Sequence, residues 1–165
     1  MGLVLLPFLL LYLVFLQALT SKLIEKCQYI IQSLHFIMDS GSVSKSQVIL
    51  EINGKIKIKC ELKRHLSPSL VGTIIRSLPV TGTIHILGTS GVYVESHIES
   101  GGERTRNEFK KGDIAFLSVG HAFCFFHKDT KVGKDLTPIG KIIDGVDELL
   151  KANSGDEVSI YCDAG

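Results

Sequence analysis

Gly112-Asp113-Ile114-Ala115-Phe116, the aromatic run Ala122-Phe123-Cys124-Phe125-Phe126, and Pro138-Ile139-Gly140-Lys141-Ile142-Ile143-Asp144-Gly145-Val146-Asp147-Glu148-Leu149-Leu150 decide the fold of this 165-residue chain. Short apolar runs broken by glycine and polar turns predict strands at 113–119, 122–127 and 139–143. A short helix at 146–152 and a last strand at 157–162, inside Val158-Ser159-Ile160-Tyr161-Cys162-Asp163-Ala164-Gly165, complete the C-terminal third.

Upstream, Val48-Ile49-Leu50-Glu51-Ile52, then Asn53-Gly54, then Lys55 to Leu62 carries a strong hairpin signal, because Asn-Gly accepts the positive φ of a tight turn. Ile56, Ile58, Cys60 and Leu62 alternate with Lys55, Lys57, Lys59 and Glu61, one dry face against one wet face. The lysine row reads as a solvated strand face that discourages edge pairing, not as a phosphate stripe. Ser67-Pro68 opens a helix whose stripe is Leu70, Val71, Ile74, Ile75 and Leu78, and Pro79 stops it. Strands follow at Thr83–Leu87 and Val92–Ile98, around Gly88-Thr89-Ser90-Gly91, and Glu99 to Lys111 reads as a polar loop. Many short strands and few helices predict a mainly β protein, a closed antiparallel barrel with two helices as plugs.

The C-terminal segments resemble the closing part of cyclophilins, where a glycine-led strand and a two-aromatic strand precede a Gly-Lys-Val/Ile strand. The resemblance extends to a Gly-Val/Met-Asp helix start and a last strand ending near Asp-Cys/Ala-Gly. It is closer still to the short prokaryotic cyclophilin-like family, whose members lack most of the large loops. It implies an eight-stranded barrel over residues 47–165 and raises prolyl isomerisation as an activity. Cyclophilins work through an outer groove of apolar side chains and one arginine. Laid without gaps over His85 to Glu95, that arginine falls on Leu87, the groove phenylalanine on Val92 and the groove glutamine on Glu95. The apolar groove positions fall on Leu117, Val119, Cys124 and Phe126, with Tyr93 beside them, and the large loop shrinks to Lys128 to Asp135. Groove walls without a guanidinium imply a non-catalytic module for a peptide or small apolar ligand. A degenerate prolyl isomerase and a membrane-tethered scaffold are the alternatives, and for each groove residue simple core filling competes with ligand contact.

No cofactor is expected. His121, Cys124 and His127 have metal-like spacing, but on a strand residues three apart face opposite sides, which argues against a metal. His85 and His97 have no partner at ligand spacing. No nucleophile elbow, phosphate-cradling loop or dinucleotide fingerprint is present. Cys124 between aromatics reads as a core or groove residue, not an activated thiol.

A net charge of +1 gives no field for steering nucleic acid, and none is expected as a partner. The four cysteines, Cys27, Cys60, Cys124 and Cys162, show no C-x-x-C pair and read as reduced thiols. Gly2 to Ser21 carries no charge and is mostly Leu, Val and Phe. About 20 such residues match a bilayer core, so Leu3 to Leu19 is expected to be a membrane anchor. Lys22 and Lys26 behind it would keep the barrel cytoplasmic. Translation from Met38 would instead leave a soluble cytoplasmic domain. The expected organisation is a hydrophobic, then amphipathic helical segment over residues 1–37, a linker over 38–46 and the barrel over 47–165.

Overall fold

Alternation in the first hairpin produces the pairing it predicts. In a computed structural model, which describes residues 10–25 and 44–164, β1 (Lys45–Ile52) and β2 (Ile56–Lys63) run antiparallel. Asn53 and Gly54 turn the chain with φ of 51° and 66°. Leu50 and Ile52 from β1 and Ile58, Cys60 and Leu62 from β2 are buried, while Lys57 and Lys59 are exposed. The helix over residues 10–25 is α1, and Pro68–Ser77 is α2. Leu70, Val71 and Ile74 of α2 enter the same core as the hairpin.

The remaining strands are β3 (Val80–Leu87), β4 (Gly91–Glu95), β5 (Arg106–Phe109), β6 (Asp113–Leu117), β7 (Ala122–Phe126), β8 (Thr130–Asp144) and β9 (Glu157–Cys162). Eight strands close into a ring in the order β2-β1-β9-β3-β4-β7-β6-β8, and β8 returns to β2 through Cys60↔Ile142 and Leu62↔Gly140. Every neighbouring pair is antiparallel. The ninth strand, β5, lies outside the ring on the first half of β8.

The segment at 146–152 is shorter and tighter than a regular α-helix. Val146–Lys151 is a 3-10 helix that starts after left-handed Gly145 (φ 87°), with Glu148 N–H donating to the Gly145 carbonyl. This one 3-10 stretch is enough to sink Leu149 into the core.

Inside the ring, Phe116 and Phe123 meet edge to face at 5.2 Å. The space left among Leu50, Leu62, Ile114, Phe125 and their neighbours is about 10 Å³, all apolar in its lining. A buried water needs about that much room and two or more polar partners, so the lumen is a filled core. Any ligand site has to lie outside it.

The chain divides into two units, Met1–Val43 and Ser44–Gly165, and β1 begins at Lys45. The expected anchor, Leu3 to Leu19, falls partly outside the described residues, as does most of the expected linker. Among the described residues no helix is long and apolar enough to cross a membrane.

Candidate functional site

Strand β7 is buried at all five positions, which requires covers on both sides. Phe123 and Phe125 point into the barrel; Cys124 and Phe126 belong to a second, outer cluster with Phe109, Ala115 and Leu136. Cross-strand register builds that outer face. Tyr93 sits opposite Cys124, Cys124 opposite Ala115, and Gly91 opposite Phe126. A side chain at Gly91 would run into the Phe125 carbonyl, so only glycine lets β4 and β7 approach this closely.

The cover is a strap made of β5 and the first half of β8, paired through Glu108↔Lys131 and Phe109↔Thr130. Phe109 lies flat on Phe126, with ring centroids 4.8 Å apart and planes 7° from parallel. The Arg106 guanidinium stands 5.0 Å above the Phe109 ring, a cation–π contact. Asp113, 4 % exposed, fastens the assembly. Its Oδ2 accepts from Arg106 Nη2 at 3.1 Å and from the Lys110 backbone N–H at 3.0 Å, and Lys141 Nζ lies 3.8 Å from Oδ1. A carboxylate this buried is stable only with such partners. Asp129 holds the strap's other corner by accepting from the Lys111 N–H at 2.7 Å.

Two clefts flank the strap. On one side, about 910 Å³ of open space lies against Lys63, His65, Arg106, Asp113 and Lys141. Its central charges are already spent on one another, with Arg106 and Lys141 on Asp113, and Lys63 on Glu61. On the other side lies a cleft of about 390 Å³. Leu87, Leu117, Cys124 and Leu136 form its apolar walls; the β3–β4 turn with Thr89 and Ser90, and the β8 stretch from Thr130 to Lys134, complete its lining. Burial pushes the Cys124 thiol up to about 12, so it enters the cleft protonated and is no nucleophile at neutral pH.

Of the residues singled out from the sequence, Tyr93, Leu117, Cys124 and Phe126 come together in this outer cluster. Tyr93 also stacks on His85 with centroids 5.0 Å apart. Glu95 is exposed at the end of β4, and Val119 is 89 % exposed on the β6–β7 turn. Three expectations change. Val92, given the groove phenylalanine's place, is 1 % exposed and points into the barrel core, so a gapless overlay is out of phase there. The furrow expected to have no guanidinium has Arg106 over the ring that covers its floor. Thr130 to Asp135, read as a shrunken loop, is strand and forms half the strap. Phe109, a lone large aromatic in a charged stretch, was the available signal for β5. Among the described residues no three His, Cys, Asp or Glu side chains are placed to hold a metal ion.

A family model described as cyclophilin-like matches residues 46–161, which span the closed ring and its strap. The chain belongs to the cyclophilin-like family. No curated protein matches it. Among solved structures, the cyclophilin-like barrel is similar to the hypothetical protein AF2241 from Archaeoglobus fulgidus, at 19 % identity and a TM-score of 0.57, covering 73 % of this chain and 98 % of that one. It is also similar to McbB, solved in complex with tryptophan, at 13 % identity and a TM-score of 0.60. That match covers 72 % of this chain and 45 % of McbB, so the chain spans less than half of McbB's length. At these identities the likeness is one of fold.

Proposed function

We propose that this cyclophilin-like barrel is a non-catalytic binding module that takes a small, largely apolar molecule into the cleft beside Cys124. The observation that carries the reading is the cleft itself: about 390 Å³ with walls of Leu87, Leu117, Cys124 and Leu136, on a barrel whose lumen is full. A small molecule fits better than an extended peptide, because Phe109 closes the furrow over Phe126, which is 0 % exposed. The protonated thiol, and an arginine already held by Asp113 and Phe109, favour binding over catalysis.

The chain contains no tryptophan, so the emission of an indole ligand can be read against no protein background of that kind. Tryptophan, the ligand in the McbB complex, is a first probe. Its emission should shift to the blue on addition of the protein, and Cys124→Phe, which fills the cleft, should remove the shift while the melting temperature confirms folding. Absence of any shift with tryptophan and with neutral 3-methylindole alike would sink the reading. A residual prolyl isomerase is the second reading, favoured by Arg106 at the Phe109–Phe126 stack. Acceleration of a proline-peptide isomerisation that Arg106→Lys and Phe126→Ala both abolish would put it first.

A further inference from the structure

We infer that the cleft selects small organic carboxylates, an aromatic or branched aliphatic body with one anionic group. This rests on the cleft being a ligand site, and charge is what it adds. Two lysines, Lys131 and Lys134, are among the residues that line the cleft, Lys131 also lining the cleft on the other side of the strap, and no Asp or Glu lines it. Lys131 shares its charge with Glu108 at 3.5 Å, both side chains well exposed. Lys134 makes no ion pair among the described residues. The chain as a whole is nearly neutral, with 18 basic and 17 acidic residues, so this is a local surplus and not the sign of a generally basic surface.

The surplus lies in the right place. Both lysines belong to the strap half of β8, and Val132 between them also lines the cleft. Opposite, the β3–β4 turn brings Thr89 and the 9 %-exposed Ser90, hydroxyl donors suited to a carboxylate oxygen. Leu117 and Cys124 receive the apolar body. The lining therefore combines hydrocarbon from Leu87, Leu117, Cys124 and Leu136 with two lysines and two hydroxyl residues. Gly133 has open space where a Cβ would stand, so the rim between the two lysines is unobstructed. An amine would meet like charge on the two lysines.

Four 3-substituted indoles test this in the tryptophan-free protein: indole-3-propionate, tryptophan, 3-methylindole and tryptamine. The acid should bind roughly tenfold tighter than the amine at low salt, with the neutral compound between them and the gap narrowing as salt rises. Lys134→Gln should weaken the acid several-fold and leave 3-methylindole unchanged, and Lys134→Glu should reverse the order of acid and amine. Glu108→Gln, which releases Lys131, should tighten the acid. Equal binding of acid and amine, or indifference of the acid to Lys134→Glu, overturns the charge selection while leaving the cleft in place. Failure of all four compounds to bind overturns both.

Discussion

Asp113 shows how one side chain sets the geometry of the outer face. Its carboxylate is nearly solvent-free and accepts from both Arg106 and the Lys110 N–H, so it fixes where β5 begins and ends. Asp113→Ala leaves an arginine and a backbone donor without their acceptor. With Arg106 half exposed, the cost should be about 1–3 kcal/mol, read as a lower urea midpoint. Asp113→Asn keeps one acceptor oxygen and should lose less. The thiols give a second expectation. Burial pushes Cys60 and Cys124 from 9.0 up to about 12 each. The folded chain thus holds these protons more tightly than the unfolded chain. The stability this carries is whole below pH 9 and drains as pH rises toward 12, at up to about 1.4 kcal/mol per unit for each thiol. Cys60→Val should flatten that alkaline decline in a melting series. Under native alkylation at pH 8, exposed Cys162 should be labelled before Cys60 and Cys124, as mass spectrometry can read directly. Cys124 and Phe126 were given outer positions by the resemblance to cyclophilins, and both stand in the outer cluster. Val119, placed in the same way, lies on the turn instead: nothing local distinguishes the last strand residue from the first turn residue in Leu117-Ser118-Val119-Gly120.

Elements whose faces alternate were readable, and elements that act as covers were not. The β1–β2 hairpin, α2 and β9 follow from side-chain period and from turn and cap residues, which are local signals. The strap has none. Thr130-Lys131-Val132-Gly133-Lys134-Asp135 is polar and carries a glycine, and it is strand only because β5 pairs with it and Phe109 pins both to Phe126. Such order is tertiary, so the stretch reads as loop until the partner is known. Dependence on Phe109 also makes the strap breakable at that residue. Phe109→Ala removes the ring that closes the outer cluster and should cost about 2–4 kcal/mol. Because the strap lies outside the ring, the loss should be local. Hydrogen exchange should rise across residues 106–109 and 130–136 while the protection of β1, β2 and β9 holds. A uniform rise would show instead that the strap is part of the ring's cooperative unit.

For the whole molecule the decisive contact is the seam where the last long strand meets the second. Closure removes the sheet's free edges, and it depends on β8 serving three partners in turn, β5, β6 and β2. Gly140 stands where β8 passes between β6 and β2, opposite both Ile114 and Leu62. A Cβ there would collide with the Glu61 carbonyl, a backbone atom that cannot move without parting the seam. Gly140→Ala should therefore cost on the order of 3 kcal/mol or more, through displaced backbone and not through lost burial. Gly133→Ala, on the same strand with nothing within 4 Å of the added carbon, should stay within about 0.5 kcal/mol of the parent. The pair separates closure from strand propensity, since both replace glycine by alanine in β8. If thermal melts show equal shifts for the two, the ring does not depend on this close approach. If Gly140→Ala alone falls and exposes Lys59 to Leu62 to exchange, the seam holds the barrel shut, and with it the outer face on which the strap and the cleft are built.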